Sequence, residues 1–188
     1  MPRQVDPDAE REALLEVCFR MFATHGYAAV GVRQIARAAG VSTGKVYHYF
    51  SSKSDILQRM FDLMVSRDEA RVRNTLPEDA PVPVRIAAVY RFVQDHRAYL
   101  IDLVRLALEV HRHEADGADR DQVQQAVARY RGAMAGILAV DNPELEGMVF
   151  SFLVGTLVHG LLDAPAVDLD AQCAFTQALW VQGFGGEG

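Results

Sequence analysis

VRQIARAAGVSTGKVYHYF, residues 32–50, is the stretch whose reading decides the fold. Ile35, Ala36 and Ala39 recur at helical spacing, and Gly40 follows where a helix ends best on a residue tolerant of positive φ. Ser42 then stands as an N-cap whose side-chain oxygen accepts from the first free amides of a second short helix carrying Val46 and Tyr49 inward. Ala36 is small where the two helices cross, and Val41, Val46 and Tyr49 complete one apolar seam. Two short helices, one tight turn and a shared seam predict a helix-turn-helix whose second helix enters a DNA major groove.

The flanks extend the pattern: ALLEVCFRMFATHGY precedes it and FSSKSDILQRMFD follows. With Gly26-Tyr27 closing the first helix, Tyr47-His48-Tyr49-Phe50 closing the reading helix and Ser52-Lys53 after it, residues 10–62 resemble the amino-terminal domain of TetR-family transcriptional regulators. The resemblance covers 53 of 188 residues and is specific because its elements are ordered and correctly spaced. It implies a DNA-binding set of Gly31, Arg33, Ser42, Thr43, Gly44, Lys45, Tyr47, His48 and Lys53. Within it, Thr43, Gly44 and Lys45 are expected at base edges, while Tyr47, His48, Lys53 and the Gly31 amide are expected at phosphates. Two positions depart from the family pattern. Val30-Gly31 stands where a Thr or Ser is usual, leaving only a backbone amide for that phosphate, and Lys45 replaces a small or hydroxylic residue, which alters the expected operator preference.

Composition is that of a globular chain, 50% apolar and 23% charged. The net charge of −6 argues against indiscriminate binding along nucleic acid, but the distribution is uneven. Residues 33–60 hold Arg33, Arg37, Lys45, Lys53 and Arg59 against Asp55 alone, and residues 61–188 carry a net −8. A local phosphate-seeking face on an acidic body fits a regulator, although a charge run alone is more often a solvated helix surface. Arg3 lies in a polar tail that reads as a disordered terminus or as a minor-groove arm. Cys18 and Cys173 fall on apolar helical faces far apart in sequence, as core thiols in a reducing compartment do. The amino terminus lacks the apolar core of a signal peptide, and the uncharged run 147–162 is short of the roughly 20 residues that span a bilayer. The expected location is cytoplasmic, with no membrane partner.

Every remaining periodic segment reads as helix, giving an all-α chain of about nine helices: a helix-turn-helix domain over residues 1–53 and a larger helical effector-binding and dimerisation domain over 54–188. A first helix spans Asp8 to His25, and a long one runs from about Ser54 to Asn74. Pro77, Pro81 and Pro83 mark a loop. Stripes at Ile86, Val89, Tyr90 and Val93 and at Tyr99, Leu103, Leu106 and Val110 are separated by Asp95-His96. After a polar loop at 114–119, Val123, Val127, Tyr130, Met134 and Ile137 continue the helical spacing. Asn142-Pro143 starts an apolar helix to Asp163, and a final helix covers about Asp168 to Phe184.

On the helix after Pro143, Gly147, Ser151, Gly155 and His159 recur every four residues. Internal packing explains such a stripe as readily as an interface. TetR-like chains, however, pair their last two helices with those of a symmetry mate, which makes these residues, with Cys173 and Trp180, the expected homodimer face. Two reading heads then meet a palindromic operator. Met64, Tyr90, Phe92, Tyr99, Leu103, Tyr130, Met134 and Phe152 form a set rich in aromatic and flexible apolar side chains. More such residues are core than pocket, yet TetR-like bodies enclose a cavity there, and a small, largely apolar effector is expected in it.

Enzyme signals are weak. Gly40-Val41-Ser42-Thr43-Gly44 matches a nucleophile elbow, but RQIARAAG before it is helical where that motif needs a strand. His111-Arg112-His113-Glu114 offers no face on which ligands two residues apart converge, and neither a metal nor a cofactor is expected. Two readings remain: a ligand-responsive DNA-binding regulator, most simply a repressor, and an all-α small-molecule-binding protein or enzyme whose helix-turn-helix is only structural.

Overall fold

The computed structural model describes residues 6–112, 117–162 and 167–183. These form nine α-helices: α1 (Pro7–His25), α2 (Val32–Ala38), α3 (Thr43–Tyr49), α4 (Lys53–Arg73), α5 (Val82–Asp95), α6 (Arg97–Arg112), α7 (Gly117–Leu138), α8 (Pro143–Leu161) and α9 (Leu169–Gly183). No strand occurs among the described residues. Arg3, the pair His113-Glu114, Asp163 and Phe184 lie outside them.

Local chemistry sets the helix ends. The Asp6 carboxylate accepts from the Asp8 amide at 3.0 Å with Pro7 in the first turn, starting α1 one residue before the expected Asp8. The Asn142 side chain accepts from the Leu145 amide at 2.7 Å with Pro143 behind it, and Asp168 accepts from the Ala171 amide at 2.9 Å ahead of α9. The prolines after α4 behave differently from a simple loop. Pro81 caps α5 and Pro83 sits inside its first turn, where the missing N–H has no helical acceptor to lose. The expected break at Asp95-His96 is there: His96 closes α5 and α6 begins at Arg97.

The chain groups into two compact units, Met1–Ser66 with Arg105–Val127, and Arg67–Val104 with Ala128–Gly188. This grouping differs from a cut after residue 53, because the first part of α4, the end of α6 and the start of α7 fall in the first unit. That unit is built on Leu14, Leu15, Cys18 and Phe22 of α1, Ile35 and Ala36 of α2, Val46 of α3 and Ile56, Leu57 and Met60 of α4, all buried. Removing this apolar surface from water, at about 25 cal/mol per Å², is what holds the two short helices α2 and α3 in place with α1.

In the second unit α5 lies against α9. Tyr90 and Thr176, both buried, share a hydroxyl–hydroxyl bond of 2.9 Å, and the Gln177 amide donates to the Pro83 carbonyl at 2.8 Å. Arg85 closes the ends of neighbouring elements by donating to the carbonyls of Ala80 at 2.6 Å and Ile137 at 3.1 Å. Helix α8 buries Leu145, Val149, Leu153 and Leu157, while Thr156 bonds Gln172 of α9 at 3.0 Å. Among the described residues this one helix is long and apolar enough, by length and composition, to cross a membrane.

Candidate nucleic-acid interface and effector unit

Helices α2 and α3 meet through a turn set by two residues. Gly40 takes φ +68° with open space around it, so the glycine answers a backbone need rather than a steric one. Ser42 caps α3, its Oγ accepting from the Lys45 amide at 3.1 Å. That bond gives Ser42 the structural task expected of it.

On α3 the outward positions are Gly44, Tyr47 and His48, which share one face at helical spacing and are exposed. Tyr47 is an aromatic left 55% open to solvent. Thr43 is half-buried, and Arg33 of α2 is exposed. Lys45 is oriented otherwise: its ammonium pairs with the Glu10 carboxylate of α1, and the Tyr49 hydroxyl donates to the same carboxylate at 2.7 Å. These bonds hold Glu10 below its usual carboxylate range, Lys45 contributing most.

Two other members of the expected phosphate set are engaged inside the domain. The Gly31 amide donates to the Gln34 side chain at 2.7 Å. The Lys53 ammonium donates to the Tyr27 carbonyl and lies 4.1 Å from the centre of the Tyr27 ring. Desolvation lowers the Lys53 pKa, opposed by Asp119 and Glu109. Around it the Tyr27 hydroxyl donates to Asp119 at 2.9 Å and the Ala28 amide to Glu109 at 3.4 Å. Gly26, at φ +83°, leaves room for that Glu109 carboxylate, which a Cβ would meet at 2.9 Å.

In the second unit a polar centre stands where the sequence pointed to an apolar pocket. Asp68 of α4 is only 3% exposed, and its Oδ2 accepts from the hydroxyls of Tyr99 on α6 at 3.0 Å and Tyr130 on α7 at 2.8 Å. Arg71 donates to its Oδ1 at 3.1 Å. Burial pushes the Asp68 pKa up against the tyrosine bonds, and pushes both tyrosines up. The three tyrosines expected as effector anchors thus have partners already, Tyr90 on Thr176 and the others on Asp68. Leu103 and Met134 are buried, Phe152 is half-buried, and Phe92 stacks on His96 at 4.5 Å. Met64 is buried in the first unit.

Along the small-residue stripe of α8, a Cβ on Gly147 or Gly155 would find open space among the described residues, and Ser151 and His159 are exposed. Cys173 and Trp180 of α9 are half-buried. The sequence reading missed the exposure of Phe175 (55%) and Val181 (62%) on α9 and of Leu162 (71%) at the end of α8. Phe175 and Val181 lie off the face of α9 that points inward, a signal available only once Thr176 is known to be the buried position.

A capped helix-turn-helix with an exposed reading face, joined to an otherwise helical chain, defines a DNA-binding transcriptional regulator. Residues 14–60 match the model for bacterial regulatory proteins of the tetR family. The chain is 35% identical over 175 residues to the HTH-type transcriptional repressor AcnR of Corynebacterium efficiens, covering 82% of this chain and 88% of that one. The chain belongs to the TetR family. Its fold is that of a Bacillus subtilis transcriptional regulator, FadR, solved with stearoyl-CoA (TM-score 0.70, 23% identity, 92% and 98% of the two chains). It is likewise that of a Saccharomonospora viridis regulator solved with choline (TM-score 0.69, 20% identity, 94% and 97%).

Proposed function

We propose that the protein is a homodimeric repressor that binds a palindromic operator through α3 and leaves it when a small, largely apolar effector occupies the second unit. The observation that carries the DNA half is the exposed face of Gly44, Tyr47 and His48 on a helix whose own packing uses Val46 alone as its buried residue. A helix serving only structure has no need of an open aromatic there. Thr43 and Lys45 lie beside this face for base contact, with Tyr47, His48 and Arg33 for phosphates.

Dimerisation is supported by the open stripe of α8 and the exposed Phe175 and Val181 of α9. Apolar side chains exposed that far on α9 gain free energy when a second copy covers them across a two-fold axis. For the effector, Phe92, Leu103, Met134 and Phe152 support a largely apolar ligand whose preference for one form of the dimer shifts the population away from DNA. The relatives solved with stearoyl-CoA and with choline show how far ligands vary on this fold, so the ligand class here rests on the residues. As a DNA-binding regulator it acts in the cytoplasm, and no catalytic step is assigned to it.

Selecting bound fragments from random DNA with the purified protein tests the DNA half, and a palindrome is the expected product. A thermal-shift screen of apolar and polar compounds, followed by release of that palindrome, tests the other. If only charged compounds both stabilise the protein and release DNA, the apolar effector is wrong while the regulator stands.

A further inference from the structure

The reading helix carries one lysine, and that lysine does not point freely into solvent. Lys45 occupies the third position of α3 after the Ser42 cap, in the amino-terminal turn that meets base edges in helix-turn-helix proteins. Its ammonium is held by Glu10, on the first turns of α1, and Tyr49, one turn further along α3, donates to the same carboxylate. Glu10 is itself well placed without Lys45: it stands near the positive end of the α1 dipole, beside the Asp6 cap and the Asp8–Arg11 ion pair. Two groups of α3 thus converge on one carboxylate of α1, 35 residues away in sequence from the lysine it holds.

Such a pair has a consequence for DNA. An ammonium has three donors, and one bond to Glu10 leaves two for a base acceptor such as guanine O6 or N7. A lysine paired in this way is close to neutral at long range, so it gains little from a phosphate that offers charge without geometry.

We propose that Glu10 is a positioning residue for operator recognition, fixing the Lys45 ammonium beside Tyr49 so that it donates to a base edge instead of to the phosphate backbone. This rests on α3 being the reading helix with Lys45 at the bases, and it goes further by naming a residue of α1 that sets the specificity of that contact.

The test compares Glu10→Gln with wild type on two duplexes of equal length, the palindrome recovered by selection and a scrambled version of it. Glutamine keeps the shape and still accepts from Tyr49, so melting temperature should hold. Binding to the scrambled duplex should tighten several-fold, and its log–log salt slope should steepen by about 0.9 for each freed lysine. Binding to the palindrome should stay level or weaken, narrowing the ratio between the two. In a Lys45→Met background, Glu10→Gln should leave that ratio unchanged. Tyr49→Phe, which loosens the same carboxylate, should narrow it in the same direction.

If Glu10→Gln shifts both duplexes by one common factor, Glu10 acts only through its charge and the proposal is overturned. The same holds if the ratio changes equally without Lys45. Should Lys45→Met alone leave the ratio at its wild-type value, the assignment of Lys45 to base edges fails first and takes this proposal with it.

Discussion

The Lys53 ammonium donates to the Tyr27 carbonyl and lies over the Tyr27 ring, so a phosphate must compete with both. The resemblance of Ser52-Lys53 to the family pattern placed Lys53 beside DNA; it could not show that Tyr27, 26 residues earlier, receives its ammonium on the backbone carbonyl and ring. Lys53→Met is therefore expected to lower stability by about 1–2 kcal/mol, the sum of one hydrogen bond and one cation–π contact, while leaving the salt slope of DNA binding unchanged. Urea unfolding and salt titration check the two halves; a slope reduced by about one with stability intact would return Lys53 to the phosphates. Lys45→Ala should behave in the opposite way, costing roughly 1–3 kcal/mol on the palindrome and relaxing preference at one position in each half-site, as competition among single-base variants will measure. Ser42 and Gly40, by contrast, were legible because caps and positive-φ turns are written in adjacent residues.

At the scale of elements most helix ends were readable to within a residue or two, since apolar periodicity, capping residues and prolines act locally; α7 is the exception, its helix covering residues 117–119 of the loop expected over 114–119, where polar residues begin a helix as readily as they fill a loop. What joins the helices was not readable. Asp68 sits in the charged stretch Arg67-Asp68-Glu69 of α4 and looks like one more solvated carboxylate until Tyr99 and Tyr130, 31 and 62 residues away, converge on it. Removing one donor by Tyr130→Phe leaves a buried carboxylate short of a partner and should cost about 1.5–3 kcal/mol, read from the urea midpoint. The pH dependence has a definite sign. Burial raises the Asp68 pKa above its ordinary value in the folded chain, so between the two values the folded protein binds more protons than the unfolded one. The charge penalty is fully present above the folded pKa and is relieved as pH falls through it towards the unfolded value. Wild type should gain stability relative to Asp68→Asn across that acidic window; a difference independent of pH would mean that Asp68 titrates normally.

For the whole molecule the prediction turns on the stripe of α8, which is open among the described residues. Gly155 faces open space, so Gly155→Leu should leave the fold of one protomer intact while holding two α8 helices apart, giving a folded monomer with poor affinity for the palindrome. Sedimentation and circular dichroism check this together, and a dimer of wild-type stability would count against it. Glycine and serine at four-residue spacing drew attention to α8 in the sequence, but the exposure of Phe175 and Val181 carried no such sign, because an apolar residue on a helix looks the same in sequence whether or not its own chain covers it. The two cysteines turn this difference into chemistry. Cys18 is fully buried and its thiol is pushed up to about 12, which leaves almost no thiolate to react, whereas Cys173 is half-buried on α9, the helix assigned to the interface. A maleimide should therefore modify one sulfur per chain, at a rate that falls as protein concentration rises, so that alkylation of a native thiol becomes a clock for subunit exchange.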